Sequence, residues 1–100
     1  MLRHVVLFRW KDGTTDEQVA AIADGLSGLP AAIPEIAGYR FGRDAGLVEG
    51  NFDFGIVADF ADEADWLVYR QHPVHLAVIA ERITDHVDTR AAVQYEFASD

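Results

Sequence analysis

The stretch from Tyr69 to His75 is the part of the sequence best suited to proton transfer, because it holds a phenol and two imidazoles within seven residues. Pro73 directly follows His72, and proline lacks an amide hydrogen and disfavours helical dihedrals at the residue before it. The sequence therefore predicts one helix that ends before Pro73 and another that starts with it. Imidazole titrates close to neutral pH and suits a general base, whereas a phenol can donate a hydrogen bond to a carbonyl or enolate oxygen.

Each of these side chains also has a purely structural interpretation. His75 falls in the first turn of the second helix, where the helix dipole disfavours imidazolium, so it is either a neutral base or a helix histidine bonded to a loop carbonyl. Tyr69 is either an oxygen donor at a site or a core tyrosine whose hydroxyl reaches the surface, and His72 either lines a pocket or caps the helix break. No cysteine or inward carboxylate completes a metal-ligand set around His72 and His75, so we predict no metal site.

A further histidine, His4, lies in a segment that alternates between two faces. Over residues 2–11 the period of two predicts a strand, with His4 beside Val6 and Phe8 on one face. We therefore expect His4 to be buried and to need a hydrogen-bond partner in the same cavity. The aromatic residues that either line an apolar cavity with it or fill the core are Phe8, Trp10, Phe41, Phe54, Phe60 and Trp66.

Six elements can position these residues, in the order strand, helix, strand, strand, helix, strand. The order repeats a strand-helix-strand unit twice. It therefore predicts an α+β, ferredoxin-like βαββαβ fold with a four-stranded antiparallel sheet and helices on one face. Thr15 and Gln18 fit a capping box, and Asp62 is a good N-cap for the second helix. The predicted bounds are a strand over 2–11, a helix over 15–29, strands over 36–43 and 52–60, a helix from 62 that breaks at 73 and continues to 83, a strand over 89–97, and a tail over 98–100.

The face of the sheet opposite the helices is also apolar in part. Val5, Leu7 and Val57 alternate away from the main aromatic rows. An uncovered apolar surface of this kind marks an interaction site, and a two-fold dimer in which two sheets pack face to face would bury it. We therefore predict a homodimeric α/β barrel.

Composition narrows the class of function. One hundred residues, half of them hydrophobic, predict a single domain over 1–100. Eight basic and seventeen acidic residues give a formal net charge of −9, which repels nucleic acid and anionic membranes. No apolar run reaches the roughly 18–20 residues of a membrane span, no signal peptide is evident and cysteine is absent. We expect neither a membrane nor a nucleic-acid partner, and a cytoplasmic location.

Six segments of the chain follow a pattern that is typical of one protein family. They are His4-Val-Val-Leu-Phe-Arg-Trp-Lys11, Gly13-Thr-Thr-Asp-Glu-Gln18, Ile33-Pro-Glu-Ile36, residues 52–60, His72-Pro73-Val74-His75 and Val93-Gln-Tyr-Glu-Phe97. Together they resemble the Dabb family, the stress-responsive dimeric α+β barrel proteins, over about residues 2–97. The resemblance implies a homodimeric barrel, and many members of that family have no assigned function.

Within that family the chain resembles the plant polyketide cyclases of the olivetolic acid cyclase type, which work without metal or cofactor. The resemblance implies that His75 is the base of an aldol-type condensation and that Tyr69 supports the carbonyl oxygen. It also matches His4 to a histidine near the cyclase N-terminus and His72 to a histidine that the family shares more widely. The cyclases have another histidine where this chain has Phe54, which implies a more apolar pocket and a different substrate.

The sequence supports three hypotheses of function. The first is a cofactor-free cyclase or isomerase that binds a small apolar or aromatic carbonyl compound, with His75 and Tyr69 as catalytic residues. The second is a non-catalytic, stress-associated dimeric barrel or a ligand-sequestering protein. The third, a haem- or quinol-handling monooxygenase of the same architecture, rests on fold analogy alone. The predicted contacts to the ligand are His4, His72, Phe8, Phe54 and Trp66.

Overall fold

The computed structural model describes residues 1–98, and within them strands and helices follow the predicted order. Of the predicted tail, residues 99 and 100 lie outside the described residues. None of the described helices is long and apolar enough to cross a bilayer. The elements are β1 (Leu2–Trp10), α1 (Asp16–Ser27), α2 (Leu29–Ala32), β2 (Gly38–Arg43), β3 (Phe54–Phe60), α3 (Glu63–Gln71), α4 (Pro73–Val78), followed by a π-helical turn (Ile79–Ile83) and a 3-10 turn (Thr84–His86), and β4 (Val87–Glu96).

Within residues 1–98 the four strands form an antiparallel sheet in the order β2-β3-β1-β4. This confirms the predicted ferredoxin-like fold. β1 lies between β3 and β4, so that His4 is opposite Ala58 on one neighbour and Gln94 on the other. The helices pack on the face that carries Val6 and Phe8. The buried core between the two layers contains Val6, Phe8, Val19, Ile22, Leu26, Leu29, Ile33, Phe54, Ile56, Ala58, Phe60, Tyr69, Val78 and Ile83.

The helix starts are fixed by side chains, as the sequence predicts. The Gln18 amide donates to Thr15 Oγ1 at 3.1 Å, and the Thr15 amide donates to Gln18 Oε1 at 2.9 Å. Asp62 caps α3 by accepting a hydrogen bond from the Asp65 amide at 2.9 Å. These contacts satisfy amide groups that the first turn of a helix leaves without a partner, and they confirm both predicted caps.

Several element bounds differ from the prediction by one or two residues, for local reasons. α1 ends at Ser27 rather than at 29, because Pro30 has no amide hydrogen with which to continue the helical ladder. β3 starts at Phe54 rather than at 52, because the carboxylate of Asp53 takes the place of a backbone acceptor for the Trp10 amide, at 2.8 Å. In addition, β1 ends at Trp10 rather than at 11, β2 starts at Gly38 rather than at 36, and β4 covers Val87–Glu96 rather than 89–97.

The face of the sheet away from the helices is only partly covered within one subunit. Leu7, Val93 and Tyr95 on this face are 38%, 53% and 45% exposed. Arg3 and Asp59 also lie on it, joined by two hydrogen bonds of 2.8 and 3.0 Å. The predicted uncovered apolar surface is therefore present. We call it the open face and define it by Val5, Leu7, Val57, Ala91, Val93 and Tyr95.

Candidate active site

Pro73 separates α3 from α4 and so determines where the neighbouring histidines lie. His72 has extended dihedrals (φ −65°, ψ 132°), and its Nδ1 accepts a hydrogen bond from the Val74 amide at 3.1 Å. The imidazole of His72 therefore caps α4 with one of its ring nitrogens. In the described part of the chain, no three histidine, aspartate or glutamate side chains come together as a potential metal site.

Tyr69 lies near the end of α3 with its side chain in the core, 3% exposed. Its hydroxyl is 3.0 Å from the hydroxyl of Tyr39 on β2, and its ring packs on Phe60 at a centroid distance of 5.2 Å. Burial raises the pKa of the Tyr69 phenol, and the hydrogen bond with Tyr39 and the charge of Arg90 oppose that rise. The phenol therefore keeps its proton at neutral pH and remains a hydrogen-bond donor.

His75 stacks on Tyr69, with the two ring centroids 4.0 Å apart and the planes inclined by 30°. Its Nδ1 is 3.4 Å from the carbonyl oxygen of Arg70. Because a carbonyl oxygen only accepts, this contact assigns the hydrogen to Nδ1 and leaves the lone pair on Nε2. Burial lowers the pKa of His75, while the carbonyls of Arg70 and Tyr69 oppose the shift. The imidazole is therefore a neutral proton acceptor at pH 7.

His4 is buried on β1 with 7% of its surface exposed, and its hydrogen-bond partner is Gln94 on β4. The side-chain amide nitrogen of Gln94 is 2.7 Å from His4 Nδ1, so the amide donates and the imidazole carries its hydrogen on Nε2. Burial, assisted by the charges of Arg90 and His75, lowers the pKa of His4 to about 4. His4 is thus a neutral hydrogen-bond donor across the physiological pH range.

A depression of about 270 Å³ opens between α3 and β4 on the helical side of the sheet. We call it the polar depression. It is lined by His4, Trp66, Tyr69, Arg70, Arg90 and Gln94. Beside it lies a second hollow of about 310 Å³, which we call the apolar depression. It is lined by Phe8, Ile79, Ile83, Thr84, Val87 and Arg90. The two depressions therefore share Arg90.

The structure brings three predicted site residues, His4, Tyr69 and Trp66, to the polar depression. His75 is in contact with the ring of Tyr69 but is not among the side chains that line this hollow. The predicted base and the predicted oxygen donor thus lie together, and only the oxygen donor borders the polar depression in the isolated subunit.

The other predicted ligand contacts lie elsewhere. Phe8 lines the apolar depression, and His72 lies at the start of α4, where it caps the helix. Phe54 is buried in the core, stacked on Phe41 at a centroid distance of 6.3 Å. Phe54 also borders a hollow of about 520 Å³ near the connection between β2 and β3, whose lining contains neither an imidazole nor a phenol.

Sequence reasoning missed four residues of this region, namely Tyr39, Arg70, Arg90 and Gln94. The signal for two of them was present, because the alternation of β4 puts Ala91 on the open face and hence Arg90 and Gln94 on the helical face. Their proximity to His4 depends on the register between the first and last strands, which alternation alone does not give. The contact between Tyr39 and Tyr69 likewise depends on how α3 docks on the sheet.

The low pKa of His4 predicts that acid destabilises the fold. The unfolded chain binds a proton at this histidine near pH 6.5, whereas the folded chain binds it only near pH 4, so stability decreases as the pH falls from 6.5 towards 4. Between pH 7 and pH 5 we expect a loss of about 1–2 kcal/mol in the free energy of unfolding from this residue. Urea unfolding at both pH values, at a fixed protein concentration, measures it.

The matched variant is His4→Gln, which removes the titrating group and should flatten this part of the pH dependence. The His75→Gln variant should retain the part of the pH dependence of stability that comes from His4. An identical difference between pH 7 and pH 5 in wild-type protein and His4→Gln would contradict the assignment.

The sequence model of one protein family, described as the stress-responsive A/B barrel domain (Dabb), matches residues 2–97 of the chain. No curated protein sequence matches the chain. Among solved structures, the chain is 46% identical to a dimeric ferredoxin-like protein of unknown function from Thermobifida fusca, with a TM-score of 0.90. The similarity covers 96% of this chain and 90% of that one.

Two further solved structures share the fold at lower identity. A dimeric protein of unknown function from Bacteroides fragilis is 25% identical, with a TM-score of 0.83 and coverage of 96% of this chain and 95% of that one. The hydroxynitrile lyase of Passiflora edulis is 21% identical, also with a TM-score of 0.83. The similarity covers 99% of this chain and 94% of that one.

Proposed function

The chain belongs to the family of stress-responsive A/B barrel domains, and from this premise we propose that it is a cofactor-free enzyme that transfers protons on a small carbonyl compound. The observation that supports this most directly is the stacked contact between His75 and Tyr69 beside the depression that holds His4. A hydroxynitrile lyase with the same fold is consistent with such chemistry on this scaffold.

In the proposed reaction Tyr69 binds the carbonyl oxygen of the ligand. Its hydroxyl is 3.0 Å from the Tyr39 hydroxyl, so Tyr39 can donate to Tyr69 while Tyr69 donates to the ligand. A phenol that both accepts and donates is the stronger donor, because chains of hydrogen bonds polarise one another. The negative charge that develops on the oxygen when the neighbouring carbon loses its proton is then stabilised by this pair.

His75 is the proposed base that removes the proton. Its ring is in contact with Tyr69, and in the proposed complex the α-carbon of a carbonyl compound bound at the phenol lies close to the imidazole. His4 is the weaker candidate, because Arg90 and His75 add to the lowering of its pKa by burial. At His75 the charge of His72 also adds to that lowering, but two backbone carbonyls oppose it. A base works best when its pKa lies near the working pH, which favours His75.

Proton exchange on a simple ketone tests the proposal. We expect the wild-type protein to accelerate the incorporation of deuterium next to the carbonyl of benzylacetone in D₂O, followed by NMR. Tyr69→Phe should lower the exchange rate by about 10–100-fold, since it removes a donor to the developing oxyanion. Tyr39→Phe should have a smaller effect, about threefold to tenfold, because it acts only through Tyr69.

The matched control for these variants is Tyr95→Phe, which removes the same hydroxyl from the open face. Its exchange rate should equal that of the wild type. If Tyr69→Phe exchanges benzylacetone as fast as the control, Tyr69 is not the oxygen donor and the proposed site loses its basis.

We also propose that two copies of the chain pair through their open faces to form a barrel. Exposed apolar residues on that face support this pairing, as do the relatives from Thermobifida fusca and Bacteroides fragilis, which are described as dimeric. The polar depression lies on the opposite, helical side of the sheet. Each subunit of the proposed dimer would therefore keep its own polar depression.

Ligand sequestration without turnover is the second candidate function, and the placement of His75 outside the lining of the polar depression favours it. Benzylacetone that binds but exchanges no faster than in buffer would support it. The polar depression, at about 270 Å³, is smaller than the roughly 300–1,000 Å³ of typical drug-sized sites. That volume favours a small carbonyl compound over a group as large as haem.

A further inference from the structure

Two arginines line the polar depression, in a chain that has only eight basic residues against seventeen acidic ones. Arg70 comes from α3 and Arg90 from β4, so they stand on different walls of the hollow. The guanidinium of Arg70 lies 5.5 Å from the centroid of the Trp66 ring. The ion pairs formed within residues 1–98 use other arginines, so among the described residues no carboxylate neutralises either of these two.

The remaining walls of the polar depression also present hydrogen-bond donors. His4 carries a hydrogen on Nε2, because its Nδ1 is occupied by Gln94. Tyr69 retains its phenolic hydrogen, and the indole of Trp66 can only donate. A concave site built from two cations and several donors matches a ligand that accepts hydrogen bonds and carries negative charge, and guanidinium groups suit a carboxylate in particular.

The apolar depression adds a second requirement to the ligand. It adjoins the polar depression at Arg90, and most of its lining is hydrocarbon from Phe8, Ile79, Ile83 and Val87. A molecule whose charged end contacts Arg90 can therefore place an apolar group in this hollow. The two volumes, about 270 and 310 Å³, fit a small molecule with one polar end and one apolar end.

We propose that the ligand is a small carboxylic acid with an apolar tail, whose carboxylate is bound by Arg70 and Arg90 and whose tail occupies the apolar depression. Its reactive carbonyl group lies at Tyr69, a part of the inference that rests on the proposed function. The substrate class is accordingly an aryl- or alkyl-substituted keto acid. The local cations overcome the repulsion that a protein of net charge −9 exerts on an anion.

A pair of probes of nearly equal shape tests the anion site, namely hydrocinnamate and its neutral methyl-ketone counterpart, benzylacetone. Binding is followed by the NMR signal of the Trp66 indole N–H, assigned with Trp66→Phe. We expect hydrocinnamate to bind at least about fivefold more tightly than benzylacetone at low ionic strength. Arg70→Gln and Arg90→Gln should each weaken hydrocinnamate binding by about fivefold more than they weaken benzylacetone binding, because only the acid carries a charge that the arginine neutralises.

The matched control is Arg40→Gln, which removes one positive charge from β2, at the other edge of the sheet. It should leave the affinity of both probes unchanged. Equal affinities for acid and ketone, or equal losses in all three arginine variants, would overturn the anion site and leave the proposed proton transfer standing. Tight, arginine-dependent binding of hydrocinnamate without any exchange of benzylacetone would support the anion site and overturn the proposed function. If neither probe moves the Trp66 signal, the anion site is overturned, and the exchange rate of benzylacetone alone decides the proposed proton transfer.

Discussion

Replacement of His75 by alanine is expected to lower the rate of deuterium exchange on benzylacetone by about 10²–10⁴-fold, the usual contribution of a positioned general base. The imidazole is stacked on Tyr69, and the carbonyl of Arg70 orients it with its lone pair on Nε2. Alanine removes that lone pair and leaves the phenol in place. The measurement is the exchange rate at pH 7 under saturating ketone.

The pH profile gives a second readout for His75. Because a base must be neutral and burial lowers the pKa of this imidazole below 6.5, the exchange rate should rise with pH below that value and level off near neutrality. His75→Gln keeps a side chain of similar length without basicity. This variant should lose both the accelerated deuterium exchange and its dependence on pH. Unchanged unfolding by urea would show that the fold survives the substitution.

Two other histidines serve as controls for this prediction. His72→Ala removes a helix cap at a cost of about 1 kcal/mol in stability, but the variant should retain most of the exchange activity. His4→Gln should also retain the larger part of the exchange activity, because the imidazole of His4 carries its hydrogen on Nε2 and is not the proposed base. If His4→Gln loses the rate and His75→Ala keeps it, the base is His4, and the assignment of His75 is wrong.

A lysine in place of Leu7 is expected to convert the protein into monomers at micromolar concentration. Leu7 lies on the open face with 38% of its surface exposed in one subunit, and the proposed dimer would bury it. An uncompensated charge buried at an interface costs about 3–5 kcal/mol, and the two-fold symmetry introduces it twice. The dissociation constant should therefore rise by at least about 10²–10⁴-fold, as measured by sedimentation velocity over a dilution series.

Leu67→Lys is the matched control for this variant, because Leu67 is similarly exposed, at 42%, but lies on α3 in the helical layer. It should sediment as the wild type does. A Leu7→Lys protein that remains dimeric would show that the subunits pair through another surface. A wild-type protein that is monomeric at the same concentration would remove the proposed dimer altogether.

The fold was predictable from the sequence because its local signals agree with its long-range arrangement. The alternation of β1 and the capping box at Thr15 identify elements from a few adjacent residues. The bounds were less accurate where a side chain competes with the backbone, as Asp53 does when it accepts a hydrogen bond from the Trp10 amide. Hydrogen bonds of this kind join residues that are far apart in the chain, and sequence periodicity carries no information about them.

The site was predictable only in its local part. The proline after His72 correctly placed a helix break, and the spacing from Tyr69 to His75 allowed the two rings to meet. The contact between His4 and Gln94 joins residues 90 positions apart, so it follows only from the register of two strands. Arg90 reaches the polar depression by the same register, so alternation could place it on the helical face but could not place it beside His4.

The position of β4 beside β1 has a consequence for how the protein is made. Of the four described strands, β1 is synthesised first and lies in the interior of the sheet. One of its two neighbours, β4, is the last of the four to be synthesised. Until β4 emerges, a nascent chain exposes that edge of β1 and lacks Arg90 and Gln94. Completion of the sheet must therefore wait until β4 has been synthesised, and in that interval the unpaired edge is open to association with other unfinished chains.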